Sequence, residues 1–301
     1  MTEGAATATA EPEDTEERDT RMAVVARAHD LLVNTDMGDM KQPEWMVRVK
    51  EDYFKAGQSM FESRELGELL DEMDQMGVER SVLMTNMSRS SERVLSFVDA
   101  RPDRFSLGLG GHNLLRPMEN LRNLERFVAD HPVAYTVIGP SFWGDGMYAP
   151  GDAVYYPLYT KCCELDLPLF MNTGLPGPPI PGEVQNPIHL DRVCVRFPEL
   201  KLAMMHGADP WWDVAIRLMI KYANLRLVTS AWAPRHLPES LLHFMRTRGK
   251  GRVMFASDSP VLSITRCVKE ASELDLPPEV LDAYLYQNAQ DFLFERGNDG
   301  N

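Results

Sequence analysis

Short apolar runs alternate with amphipathic helical segments along almost the whole of the 301-residue chain. Eight such runs fall at 22–29, 81–85, 105–109, 133–138, 167–171, 200–205, 225–229 and 253–256. The segments between them repeat apolar residues at helical spacing, and closing helices fit within 261–273 and 278–294. Strands that alternate with helices in this way indicate an all-parallel sheet covered by helices.

The number of strands favours a closed sheet over an open one. Eight parallel strands close a barrel around an interior filled by side chains. An open doubly wound sheet would be favoured by a glycine-rich phosphate loop after the first strand, and no G-x-G-x-x-G or Walker sequence occurs there. The Gly108–Gly111 stretch is only a weak resemblance, at the end of a middle strand. The sequence therefore predicts an α/β fold, a distorted (β/α)8 TIM barrel in a single domain.

The ends of the chain and one internal segment differ from this pattern. Residues 1–20 are acidic with almost nothing to bury, which predicts a disordered tail. Residues 34–62 are polar and aromatic, and a loop of that length in a compact domain is typical of a lid over a site. The predicted boundaries are a tail at 1–20, the barrel at 21–296 with its long loop at 34–62, and a flexible C-terminus at 297–301.

Composition excludes several classes of partner. A net charge of −14 opposes phosphate backbones, so we expect no nucleic-acid partner. No apolar run approaches the length of a membrane span, and the amino terminus lacks a signal-peptide pattern. The four cysteines lack a C-x-x-C spacing and are typical of reduced core thiols. We expect a cytoplasmic homodimer with a small-molecule substrate and no membrane partner.

The carboxyl ends of barrel strands converge on one mouth, where such folds keep their chemistry. Asp258 follows the last run and is either a catalytic carboxylate or the cap of the next helix, since Asp and Ser before Pro often start helices. The joint placement of His29, His206 and Asp258 favours catalysis. The predicted strand ends deliver Arg27, His29, His112, Asn172, Thr173, His206, Thr229, Ser230 and Asp258.

Four segments carry a family resemblance: 156–174 (YPLYTKCCELDLPLFMNTG), 201–211 (KLAMMHGADPW), 229–232 (TSAW) and 254–260 (MFASDSP). In this order they resemble the amidohydrolase-related family that contains aminocarboxymuconate-semialdehyde decarboxylase, γ-resorcylate decarboxylase and pyrone-dicarboxylate lactonase. The resemblance extends over about residues 22–294. It implies the same distorted barrel, with an active site at the strand ends.

The chain departs from that family at the expected metal ligands. Metal-dependent members carry His-x-His on the first strand, a His on the fifth, a His on the sixth and an Asp on the eighth. Here Arg27 and His29 align with the pair and Asn172 with the fifth-strand His, while His206 and Asp258 remain. An amide is a poor metal ligand and an arginine stays charged. We therefore expect no cofactor. The alternative is a weakly held divalent ion such as Zn²⁺ on His29, Asp258 and Asn172.

Without a metal the remaining groups form an acid–base set. Asp258 could act as general base, and His206 or His29 could donate a proton. Arg27 could bind a carboxylate or an oxyanion, as the resemblance to metal-independent lactonases also suggests. Arg235 is either a second anion-binding group or a solvated residue at a helix start.

Aromatic residues near the mouth favour a flat or apolar substrate. Together with Arg27, Asn172, His112 and Arg235, the predicted substrate-binding residues are Trp143, Trp211 and Trp232, and the long loop adds Trp45 and Phe54. The expected function is cleavage of a C–O or C–C bond, by hydrolysis or decarboxylation, in a cyclic or aromatic, carboxylated molecule. The alternatives are a non-hydrolytic lyase, cyclase or isomerase of a biosynthetic pathway, and an inactive binding or regulatory protein.

Overall fold

The computed structural model describes residues 27–36, 62–142 and 148–294. Eight strands form one parallel sheet in the order β1 to β8, each hydrogen-bonded to the next along the chain. Their bounds are β1 Ala28–Val33, β2 Val78–Asn86, β3 Phe105–Gly110, β4 Val133–Ile138, β5 Leu169–Asn172, β6 Leu202–Met205, β7 Leu225–Val228 and β8 Val253–Met254. The barrel prediction is confirmed.

Helices connect successive strands on the outside of the barrel. They are α1 Leu66–Gln75, α2 Glu92–Ala100, α3 Pro117–Asp130, α4 Tyr156–Glu164, α5 Leu190–Arg196, α6 Trp212–Lys221, α7 Glu239–Arg246, α8 Ile264–Ser272 and α9 Pro278–Asp282. Two π-helical turns, Ala283–Gln287 and Gln290–Phe294, end the described chain. Among the described segments we find no helix with the length and apolarity needed to cross a membrane. The predicted tail and C-terminus, and most of the long loop, lie outside the described residues.

The first strand lies later in the chain than predicted. The expectation was a strand over 22–29 that ends at His29, but β1 runs from Ala28 to Val33 and all six of its residues are buried. His29 was interpreted as a polar residue at the end of a strand, and Asp30 lay beyond the predicted strand. Both are instead buried within β1, because each has a hydrogen-bond partner elsewhere in the fold. His29 consequently lies near the amino end of β1 and not at the mouth.

The barrel closes between β8 and β1, at what we call the seam. Few backbone hydrogen bonds join the two strands there, and a side chain supplies much of the connection. Val33 and Ser259 form an isolated parallel bridge, and the Asn34 amide donates to the Ser259 carbonyl at 2.7 Å. The fully buried Asp30 carboxylate accepts the Ser257 amide at 2.9 Å and the Ser257 hydroxyl at 2.5 Å. Burial raises the pKa of Asp30 to about 6 against these hydrogen bonds. Asp30 therefore joins the first strand to the segment that carries Asp258.

Removing this carboxylate should destabilise the barrel. We expect Asp30→Ala to lower the free energy of unfolding by about 3 kcal/mol, because it leaves buried donors of Ser257 without a partner. Asp30→Asn keeps an acceptor for the Ser257 amide and should lose clearly less. Urea unfolding measures both, with Asp99→Ala on the exposed side of α2 as the control. Equal stabilities of Asp30→Ala and the wild type would show that the seam does not depend on this contact.

A tyrosine spans the barrel interior. Tyr135 on β4 is fully buried, stacks on Phe170 at 3.8 Å between ring centroids, and donates its hydroxyl to the Leu31 carbonyl of β1 at 2.6 Å. A Cβ at Gly108 would lie 2.8 Å from the Tyr135 hydroxyl and 2.6 Å from Met84. Gly108 is therefore explained by the space that the tyrosine needs, and not by a phosphate loop.

Candidate active site

A cavity of about 670 Å³ opens at the carboxyl ends of the strands, a size typical of small-molecule sites. Its polar lining comes from residues at or just after the strand ends. Side chains alternate along a strand, so every second residue there points into the same cavity. The lining consists of Leu32, Asn34, Met84, Asn86, Ser88, Gly110, Gly111, His112, Asn113, Val137, Gly139, Phe142, Asn172, Met205, His206 and Asp258. Four predicted site residues, His112, Asn172, His206 and Asp258, are thus brought together here.

Asp258 lies in this cavity with its side chain 13% exposed. The Asn34 amide group donates to Oδ1 of Asp258 at 3.1 Å, and Nδ1 of His206 lies 4.0 Å from Oδ2. Helix α8 starts only at Ile264, and its cap is Ser263, whose hydroxyl accepts the Arg266 amide. Asp258 is therefore not the cap of the next helix, which was the alternative that the sequence left open.

His206 is fixed through its ring and through its backbone. It follows β6 with a φ of +67°, its Nδ1 lies 2.9 Å from the Ser230 hydroxyl, and its amide donates to that hydroxyl at 3.1 Å. Its carbonyl accepts the indole N–H of Trp232 at 2.9 Å. Burial lowers the pKa of His206 to about 4, so the ring is neutral near pH 7.

The His112 side chain has all of its hydrogen bonds made within the protein, whereas the Asn172 side chain does not. His112 is buried, with Nε2 2.6 Å from the Thr136 hydroxyl and Nδ1 3.2 Å from Oδ1 of Asn120, and burial lowers its pKa to about 4. Both of its nitrogens are therefore occupied, which suits a structural role. The Oδ1 atom of Asn172 is buried and has no hydrogen-bond partner among the described residues. It is a buried acceptor in a residue that lines the cavity.

Arg27 and His29 lie at the opposite end of the barrel, so their predicted place at the mouth is wrong. Arg27 precedes β1, lies over the Tyr286 ring at 3.9 Å and pairs with Asp282 at 3.4 Å. His29 stacks on Tyr286 at 4.3 Å, and its Nε2 is 3.1 Å from Oε1 of Gln290. The physical reason is the displaced first strand, which carries both residues to the end covered by the π-helical turns.

Other predicted binding residues also lie outside the cavity lining. Arg235 is exposed and is 3.6 Å from Glu270, in agreement with the solvated alternative. Trp211 is a half-buried residue at the start of α6, and Trp232 packs edge-to-face on Trp212 at 5.3 Å, behind His206. Neither is among the lining residues. Trp143, Trp45 and Phe54 lie outside the described residues.

The donors in the cavity do not fit a tight catalytic metal site. At the end of β1, the two residues that point into the cavity are Leu32 and Asn34. The Leu32 side chain has no atom that can bind a metal, and the Asn34 side-chain amide donates a hydrogen bond to Asp258. Among the described residues no group of three His, Cys, Asp or Glu side chains is arranged to hold an ion. The predicted alternative set of His29, Asp258 and Asn172 is not assembled, because His29 lies at the other end. Catalytic zinc ordinarily needs three good protein ligands.

Two residues of the site were missed or left without a role. Asn34 was placed in the long loop, although its alternation with Leu32 would have pointed it inward had β1 been placed correctly. Ser230 was predicted at a strand end, but its bond to His206 joins residues 24 positions apart and has no signal in the sequence.

Comparison with known proteins places these features in context. The sequence model of the amidohydrolase family matches residues 19–294 of this chain. No curated protein sequence matches the chain significantly. The uncharacterised TIM-barrel protein Bb4693 of Bordetella bronchiseptica is 21% identical, with a TM-score of 0.76 over 88% of this chain and 98% of its own.

Two decarboxylases are also similar in fold. The 5-carboxyvanillate decarboxylase of Sphingomonas paucimobilis is 17% identical, with a TM-score of 0.65 over 89% of this chain and 99% of its own. The enzyme of the same name from Novosphingobium aromaticivorans, in complex with manganese and 4-hydroxy-3-methoxy-5-nitrobenzoic acid, is 15% identical, with a TM-score of 0.61 over 90% and 96%. At these identities the likeness concerns the fold.

Proposed function

Because the chain belongs to the amidohydrolase family, we propose that it is an enzyme of hydrolase or decarboxylase type, which cleaves a C–O or C–C bond of a cyclic or aromatic small molecule by acid–base catalysis at Asp258. The observation that carries the proposal is the place of Asp258, a partly desolvated carboxylate in the cavity at the strand ends, 4.0 Å from His206. Removal and return of a proton by a carboxylate so placed is a general acid–base role.

The other polar groups complete a binding site for a substrate that donates hydrogen bonds. The free Oδ1 of Asn172 and the carboxylate of Asp258 both accept, which suits hydroxyl groups on a ring. A carboxylate on the substrate was expected to bind Arg27 or Arg235, and both arginines lie elsewhere. Among the cavity-lining residues that the structure describes there is no lysine or arginine. We therefore propose a substrate with a hydroxylated ring.

The proposed reaction does not depend on a bound metal. This rests on the donor set, in which Leu32 and Asn34 stand at the inward positions of β1. We expect turnover to survive exhaustive treatment with EDTA, and Mn²⁺ or Zn²⁺ to leave the melting temperature unchanged, since a ligand that binds only the folded state must raise it. Elemental analysis of the treated protein is the control. Loss of turnover on chelation, restored by Mn²⁺, would overturn metal independence and leave the family assignment intact.

The reaction itself can be tested with a matched panel of substrates. Hydroxybenzoates with and without a carboxyl group beside the hydroxyl, and cyclic esters of similar size, are incubated in ¹⁸O-labelled water. Release of CO2 without label in the ring product identifies a decarboxylase, whereas label in the product identifies a hydrolase. A lyase or isomerase that uses no water is the second candidate, because the cavity residues that the structure describes lack the ligands of a water-activating metal. Saturable binding with no turnover of any panel member would instead indicate a binding protein.

A further inference from the structure

Nδ1 of His206 lies 2.9 Å from the Ser230 hydroxyl, whose proton can be located by counting. The same hydroxyl oxygen accepts the His206 amide at 3.1 Å. Ser230 is fully buried. A serine hydroxyl has one proton to donate and two lone pairs to accept with, so its remaining bond to Nδ1 has only two possible directions.

The two directions are not equivalent in this environment. If Nδ1 carried a proton, Ser230 would accept twice and its own proton would need another acceptor. Within the described ranges the Ser230 hydroxyl has the two contacts with His206 and no third. A buried hydroxyl proton without an acceptor is unfavourable. The arrangement that satisfies every group has the serine donating to an unprotonated Nδ1.

Resting on the function proposed above, we propose that Ser230 is a positioning residue that keeps His206 in the Nε2–H tautomer, so that a neutral imidazole presents a hydrogen-bond donor to the substrate. His206 lines the cavity with its side chain 29% exposed, so part of the ring is accessible to a ligand. Trp232 holds the carbonyl of the same residue at 2.9 Å, so ring and backbone are fixed together.

His206 and Asp258 then have different roles in the reaction. A neutral imidazole gives up its last proton only at great cost, so His206 polarises a substrate oxygen and keeps its proton throughout. Asp258 then takes a proton from water or substrate and returns the same proton to the product, which balances the proton transfers. This replaces the sequence-based expectation that His206 or His29 donates a proton.

The tautomer can be observed without any substrate. In ¹⁵N-histidine-labelled full-length protein near pH 7, we expect a pyrrole-type shift at Nε2 and a pyridine-type shift at Nδ1 of His206, assigned by the signals lost in His206→Gln. Ser230→Ala should mix or reverse the two shifts, and Ser230→Thr should restore them. Thr229→Val is the matched control, because that neighbouring hydroxyl bonds Tyr284 at 2.6 Å and not His206. Circular dichroism verifies that each variant is folded.

Activity gives a second readout. With a substrate from the panel, Ser230→Ala should lower kcat about tenfold, roughly the value of one neutral hydrogen bond, with Ser230→Thr close to wild type. A protonated Nδ1 in the wild-type protein, or an unchanged His206 spectrum in Ser230→Ala, would overturn the proposal. Absence of turnover with normal spectra would count against the proposed function and leave the tautomer assignment standing, so the two can fail separately.

Discussion

Asp258→Asn is expected to lower kcat by about three orders of magnitude while leaving the fold intact, because the amide cannot take up the proton that the reaction requires. The substitution is nearly isosteric, and its Oδ1 can still accept the hydrogen bond that Asn34 donates at 3.1 Å. Substrate affinity should therefore change far less than kcat. Steady-state kinetics on the substrate identified by the panel, with melting temperatures of both proteins, measures the two effects separately.

A second carboxylate near the mouth offers a matched control for this substitution. Asp209 is exposed, accepts the indole N–H of Trp212 at 3.2 Å and is not among the cavity-lining residues. Asp209→Asn retains that acceptor, so turnover should stay near wild type. Near-normal kcat in Asp258→Asn, or an equal loss in both variants, would mean that Asp258 supports the site structurally and that the chemistry belongs to another group.

The fold was predictable because its signal is local. Strand and helix periodicities recur within each unit, so β4 was placed at its observed bounds and β2, β3 and β5 to β7 within a few residues. The carboxyl end of a strand follows directly from its bounds, which is why Asn172, His206 and Asp258 were correctly placed together. One misplaced strand, β1, accounts for the wrong positions of Arg27 and His29 and for the omission of Asn34.

The remaining errors come from contacts between distant parts of the chain. His29 and Asp30 are buried because Gln290 and Ser257, more than 220 positions away, supply their hydrogen bonds. No window of sequence contains both partners of such a contact. The same holds for Ser230 and His206, whose pairing depends on how β6 and β7 lie side by side. Chemistry-bearing residue types could be predicted from sequence, whereas their protonation and their partners required the fold.

Acid should unfold this protein readily, since the buried His29 and His112 and the partly exposed His206 are neutral in the folded state. Burial lowers the pKa values of His29, His112 and His206 to about 4, from an ordinary 6.5. Between pH 6.5 and 4 the unfolded chain therefore binds more protons than the folded one, so the free energy of unfolding falls as pH falls. Each fully buried ring contributes on the order of 3 kcal/mol, and the partly exposed His206 less.

Asp30 acts in the opposite direction in the same range. Burial raises its pKa to about 6, so below that pH the folded state binds a proton that the unfolded chain, near 3.8, does not. The effect of the three histidines exceeds that of Asp30. The free energy of unfolding should therefore fall by a net amount on the order of 5 kcal/mol from pH 7 to pH 4, which is comparable to the whole stability of many proteins. Urea unfolding across this range measures it. His29→Phe, which keeps the stacking on Tyr286, should flatten the profile, and Asp30→Asn should steepen it. The exposed His243→Gln should leave the profile unchanged, and equal stability at pH 7 and pH 4.5 in the wild type would contradict the prediction.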